Sequence, residues 1–180
     1  MLTLLSLGAE IVFLGGVVLQ EEQLRILKFM SEMTGRIDMN DFASKVGLSS
    51  AQIVQNMQAL AKEGYLKKVG AGFAMTDKGR RAVKASVSVL PSLRFQFYFG
   101  LGQPAGVSAM SIREFHDVVG KVNVVSVEFH VERGDFENWF RTTIEDPSLA
   151  DDFASLKTAE LKGEELRKAV SKAVEARYPV

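Results

Sequence analysis

The strongest constraint on this chain is the spacing of the breaks between Met39 and Arg81. The stretch runs MNDFASKVGLSSAQIVQNMQALAKEGYLKKVGAGFAMTDKGRR, with breaks at Gly47, at Gly64 and at a Gly70-Ala71-Gly72 tip. That spacing leaves room for a short helix from Met39 or Asn40 to near Val46. Leu48 then supplies an apolar plug, and Ser49 and Ser50 cap a second helix running to about Glu63. Ile53, Met57 and Leu60 follow one another at helical spacing, so the second helix has one buried face. Beyond Gly64, Tyr65–Val69 and Phe73–Met75 form two short strands around the glycine tip. Thr76 then caps a helix from Asp77 to about Val87, whose first turns carry Lys78, Arg80 and Arg81.

Upstream, Glu21 to about Met33 predicts a helix with Leu24, Leu27, Ile26 or Met30, and the stem of Lys28 on its inner face. Arg36-Ile37-Asp38 has the length of a lone strand that pairs with the hairpin. Residues 2–19 are almost wholly apolar, near the ~20 residues that cross a bilayer. Glu10 in mid-segment, Gly8, Gly15 and Gly16, and the lack of flanking cations all oppose a span. A secretory leader would also need a positive start and a small-residue cleavage site. The expectation is therefore no membrane partner. The segment is read as a buried helix or a pair of short strands, and its surplus of apolar side chains favours a homodimer interface.

Charge separates the chain into unequal parts although its formal total is zero. Residues 21–85 carry eleven Lys or Arg against seven Asp or Glu, whereas residues 86–180 carry eleven against fourteen. Between Lys62 and Lys84, seven cations face only Glu63 and Asp77. A local basic patch on a near-neutral protein suits a modest DNA binder; a solvated surface is the plainer alternative. Cysteine is absent, which excludes disulfides and thiolate zinc sites and fits a cytoplasmic protein.

Helix, turn, helix, hairpin and helix in this order, with the GYL–wing–TDKGR ending, resemble archaeal and bacterial winged helix-turn-helix regulators over residues 21–87. The resemblance implies that the helix after Ser49 enters the major groove of double-stranded DNA. With Ile53, Met57 and Leu60 inward, Ser50, Gln52, Gln55, Asn56 and Lys62 lie outward. Gln and Asn can bond the adenine edge in pairs, and Ser49 and Ser50 mark a helix start whose free N–H groups suit a phosphate. Lys67, Lys68, Lys78, Arg80 and Arg81 are the expected phosphate contacts. No Arg or Lys precedes Lys62 on that helix, so the commonest base contact, arginine on guanine, is missing. A polar helix of this kind equally fits a protein-docking adaptor.

Pro91 marks a boundary. Leu93–Phe99 alternates weakly as a strand, its aromatics read as core, and Gly100 to Gly106 is predicted as loop. Ser111-Ile112-Arg113-Glu114 is a capping box for a helix ending at Gly120. Val124–Val131 fits a strand by its β-branched residues and a helix by its neighbours. Asp135 is expected to cap Phe136–Ile144, and Asp146-Pro147 to start another helix. A last amphipathic helix, Glu164–Arg177, carries Leu166, Ala169, Val170, Ala173 and Val174 on one stripe.

Residues 95–177 resemble a domain of unknown function found mainly in archaea, through Gly106-Val107-Ser108-Ala109, an FHxxRGDFxxW motif from Phe129 to Trp139, and a late Gly163-Glu164-Glu165-Leu166-Arg167. The resemblance implies an α-rich module that senses or docks something and carries no assigned activity. His116 and His130, with Glu128, Glu132 and Asp135, could serve a metal or acid–base chemistry, but the spacing matches no ligand pattern. The plainer reading is structural: Asp135 caps a helix and His130 bonds near Trp139. No nucleotide loop or activated nucleophile stands out.

The sequence thus predicts a mainly α fold with a small β wing: an apolar segment (1–20), a winged helix-turn-helix domain (21–90) and an α-rich domain (91–180). It predicts a cytoplasmic, homodimeric DNA-binding regulator and not an enzyme, with no cofactor and no metal. Its C-terminal half has a sensing role or a protein partner. The alternative is an adaptor that never meets DNA, and, further off, a metal-binding or enzymatic C-terminal half.

Overall fold

The computed structural model describes residues 19–33 and 38–180. Their fold is mainly helical, with two small antiparallel two-stranded sheets. The apolar segment falls outside the described residues, apart from Leu19, which is buried beside the first helix. Residues 36 and 37 of the expected lone strand also fall outside them, and Asp38 serves as a cap, accepting from the Asn40 N–H. Among the described residues no helix is long and apolar enough to cross a membrane.

Helix α1 (Glu21–Glu32) buries Gln23, Ile26 and Leu27. Leu24, expected inside, is only half-buried. Helix α2 (Met39–Val46) ends at Gly47, whose N–H returns to the Ala43 carbonyl. Helix α3 (Ser50–Lys62) starts at a Ser49–Gln52 capping box and buries Ile53, Met57 and Leu60, as its periodicity requires. Strands β1 (Leu66–Val69) and β2 (Gly72–Met75) pair with Lys67 opposite Ala74 and Lys68 opposite Phe73. Helix α4 (Asp77–Ser86) follows, with Thr76 accepting from the Gly79 N–H.

Gly79 explains why the hairpin meets α4 so closely. A methyl group there would collide with the Tyr65 carbonyl oxygen and come within 2.8 Å of Met75 Cγ. The Thr76 hydroxyl binds the same region, donating toward the Gly64 and Tyr65 carbonyls at 2.7 and 2.9 Å. The TDKG stretch is thus a clamp that holds the start of α4 on the root of the hairpin.

The second half opens with strands β3 (Phe95–Gly100) and β4 (Gln103–Ala109). Gly100 and Gly106 lie within strands, not in the predicted loop. Glycine and Pro104 are tolerated because a two-stranded ribbon has two free edges, and the register slips on both sides of Tyr98. Five helices follow: α5 (Ile112–Val119), α6 (Val124–Arg133), α7 (Asp135–Thr142), α8 (Pro147–Thr158) and α9 (Gly163–Glu175). The ambiguous Val124 stretch is therefore helix, capped by Asn123.

The apolar side chains form two clusters. One joins α1 to α4, and the other joins β3, β4 and α5 to α9. Helix α4 belongs to both, giving Ala82 and Val83 to the first and Ala85 to the second. Next to that seam, Lys84 Nζ reaches the Glu145 carbonyl at 3.4 Å.

Candidate functional site

The residues expected to meet DNA do not form one evenly exposed surface. Gln52 Oε1 accepts from the Ser49 N–H at 3.0 Å and from the Ser49 hydroxyl at 2.8 Å, so both side chains are occupied in capping. Asn56 Nδ2 donates to the Gln52 carbonyl and lies 3.4 Å from Glu22 Oε2, turned toward α1. Ser50 is half-buried. Gln55 is exposed, together with Ala51, Val54 and Gln58, which the sequence reading passed over. Lys62 is exposed at the far end of the helix.

The cations divide by strand parity. Lys67 and Lys68 are adjacent on β1 and point to opposite faces of the hairpin. Lys67 lies near Asp77, and so do Arg80 and Arg81; a hydrogen bond from Arg80 is the main reason that the Asp77 carboxyl is held below its ordinary range. Arg80 also donates to the Met75 carbonyl at 3.2 Å. Lys78 donates to the Glu63 carbonyl at 2.8 Å and sits 4.2 Å from the centre of the Tyr65 ring. Lys67, Arg80 and Arg81 therefore gather around one carboxylate, Lys78 is turned back onto the chain, and Lys68 looks away.

The second half contains a cleft of about 440 Å³ between the β3–β4 ribbon and helices α6 and α7. The FHxxRGDFxxW motif lies along it, contributing Phe129, His130, Arg133, Asp135 and Trp139. Arg94 and Tyr98 come from the ribbon side, and Leu101, at the ribbon tip, stands over the cleft 78% exposed.

His130 is fixed by two partners. Its Nε2 accepts from the Tyr98 backbone N–H at 2.8 Å, and its Nδ1 lies 2.8 Å from Asp135 Oδ2. An amide can only donate, so Nε2 carries the lone pair and Nδ1 carries the proton given to Asp135. Burial pushes the imidazole below its ordinary pKa, against the pull of Asp135, and favours the neutral ring. Both nitrogens are spoken for, so His130 has no free lone pair for a general base despite a dyad-like neighbour. Its ring lies among Phe95, Phe97, Phe129 and Phe136 at centroid distances of 4.9 to 5.8 Å.

Asp135 is not the predicted helix cap. Gly134, with φ +73°, ends α6 and begins α7, and Asp135 is the first residue of α7. Its carboxylate goes to His130 and to Arg133 Nε at 3.1 Å instead. An elbow this tight needs a left-handed residue, and glycine adopts that conformation without penalty. The sequence reading also placed the bond of His130 near Trp139, but Trp139 Nε1 donates to the Leu93 carbonyl at 2.8 Å. The sequence predicts the first strand of the ribbon but reads its tip and second strand as loop, and a lone strand gives no sign of a cleft.

Among the described residues no group of three or more His, Asp or Glu side chains could hold a metal ion. Comparison with family models, with curated proteins and with solved structures finds no match to the chain.

Proposed function

We propose that the chain is a DNA-binding transcriptional regulator, with residues 21–90 acting as a winged helix-turn-helix and the C-terminal half as a sensor or docking module. The observation that carries this reading is the α2–turn–α3–hairpin–α4 order, with the Ile53–Met57–Leu60 face of α3 packed inward and its opposite face exposed. In this reading α3 enters the major groove with Gln55 and its exposed neighbours, and Lys67, Arg80 and Arg81 touch phosphates. The test is duplex anisotropy across a salt series, for wild type and for Lys67→Ala/Lys68→Ala/Arg80→Ala/Arg81→Ala. A DNA surface gives a steep log–log slope, about −0.9 per phosphate contacted, that flattens in the variant. No binding at low salt removes DNA from the proposal.

A second reading rests on Val54. This β-branched side chain is 41% exposed on the outward face of α3, where Gln52 and Asn56 are already engaged. An apolar residue flanked by neutral amides suits a protein groove better than a phosphate backbone. An adaptor of that kind loses its partner on Val54→Glu and shows no salt-sensitive DNA affinity.

A further inference from the structure

We infer that the cleft between the β3–β4 ribbon and helices α6 and α7 binds a small monocarboxylate with an apolar, ring-sized body. This deepens the reading of the C-terminal half as a sensor and does not depend on whether α3 meets DNA.

The volume is the first argument. About 440 Å³ lies within the ~300–1,000 Å³ of ordinary small-molecule sites. The second is the mixture of walls. Half-buried Phe129 and an edge of the otherwise buried Trp139 offer apolar surface, and Leu101 lies exposed at the mouth. The polar groups converge from different elements, Arg94 from the entry to β3, Arg133 from the end of α6 and Asn138 from α7.

The charge balance sets the ligand class. The charged side chains lining the cleft are Arg94, Arg133 and Asp135. Arg133 is paired with Asp135, and its guanidinium lies 5.3 Å from the centre of the Phe129 ring. The neighbouring carboxylates on α6 are engaged elsewhere: Glu132 with Lys162 and Glu128 with the Gly163 N–H. Arg94 makes no hydrogen bond or ion pair with another described side chain, and the structure leaves it as the one unmatched charge of the cleft. A single open guanidinium fork matches a carboxylate in shape and charge. A phosphate dianion would call for a second free cation, and the charged side chains of the lining offer none, since Arg133 is already paired with Asp135.

The chain has one tryptophan, Trp139, and its edge lines the cleft, so its fluorescence is a probe of occupancy. The experiment titrates the full chain with phenylacetate, with neutral benzyl alcohol as the uncharged analogue and acetate as the carboxylate without a body. Calorimetry runs in parallel to detect binding that leaves the emission unchanged. Phenylacetate is expected to saturate. Benzyl alcohol and acetate are each expected to bind at least about tenfold more weakly, the scale of one charge-assisted hydrogen bond or one desolvated ring. Arg94→Gln should weaken phenylacetate by a similar factor without changing the melting temperature, because Arg94 is exposed and supports no packing. Absence of saturable phenylacetate binding by both methods overturns the proposal. So does equal binding of benzyl alcohol, or an Arg94→Gln variant that binds phenylacetate as wild type does. Because the readout is the cleft alone, a failed DNA titration and a failed ligand titration are distinguishable.

Discussion

The two buried clusters share helix α4 but are built of different material. The first is largely aliphatic, centred on Ile26, Leu27, Ile53 and Leu60, and Gln23 is its one buried polar residue among those described. The second is aromatic, with Phe95, Phe97, Phe115, Phe136, Phe140 and Phe153 joined in one network of ring contacts and His130 buried beside it. Aliphatic side chains weld helices together and leave the outward faces for whatever the protein touches. The aromatic cluster is itself closed, and a concave space lies against its edge at Phe95, His130 and Trp139. The second half therefore carries a hollow beside its core.

The most severe way to break this contrast is to empty each centre. Phe136→Ala is expected to cost about 3–5 kcal/mol and Leu60→Ala about 2–5 kcal/mol, since each side chain is fully buried. Because α4 belongs to both clusters, calorimetry should show one unfolding transition in both variants. Two resolved transitions would mean that the shared helix does not couple the halves.

Gly79→Ala comes next, at about 1–3 kcal/mol by denaturant unfolding, because the added methyl must displace backbone at Tyr65. Gly72→Ala is the control: its Cβ would meet only the Val69 carbonyl oxygen at 4.0 Å, and a change within about 0.5 kcal/mol is expected.

The third effect distinguishes the halves by pH. His130 has a folded pKa below its unfolded value, so the unfolded chain binds the extra proton and stability rises with pH. Stability is therefore complete above about pH 6.5 and is lost as pH falls through that value toward the lower folded pKa. The slope is at most about 1.4 kcal/mol per pH unit for one proton. Carboxylates such as Glu132, held low by the hydrogen bond from Lys162, act at more acid pH. Denaturant melts at pH 7.5 and 5.5 should show the loss in wild type and a weaker dependence in His130→Gln. An unchanged dependence in the variant would remove His130 as its source.

The smallest effect concerns the first half alone. If α4 and the hairpin meet DNA, Lys67→Ala should reduce the salt slope by about 0.9. Arg80→Ala should change it less, because Arg80 already holds Asp77 and the Met75 carbonyl. Equal slopes for the two variants would mean that the internal pairing does not restrain Arg80.

Much of the first half is legible in the sequence because its signals are local. Ser49 and Thr76 cap where a short hydroxyl side chain precedes a periodic run, and Ile53, Met57 and Leu60 declare their face by spacing alone. What each polar side chain does is less legible. Gln52 looked outward on a helical wheel, yet its amide turns back to Ser49, a choice that depends on cap geometry. The cleft is less legible again. Tyr98 and His130 lie thirty-two residues apart, and nothing in either neighbourhood announces the other. The Asp135 reading failed for a local reason: a carboxylate at a helix start caps by default, but the Gly134 elbow brings it against His130 and Arg133 at the end of α6, which hold it instead.

The bond between the Tyr98 amide and His130 also has a consequence in time. The ribbon slips register on both sides of Tyr98, so cross-strand pairing there is discontinuous and its protons should exchange with solvent quickly. The Tyr98 proton is held instead by a ring inside the aromatic cluster. Its exchange should follow the opening of α6 from the ribbon and not the fraying of the strands, leaving one slow clock in a fast-exchanging stretch.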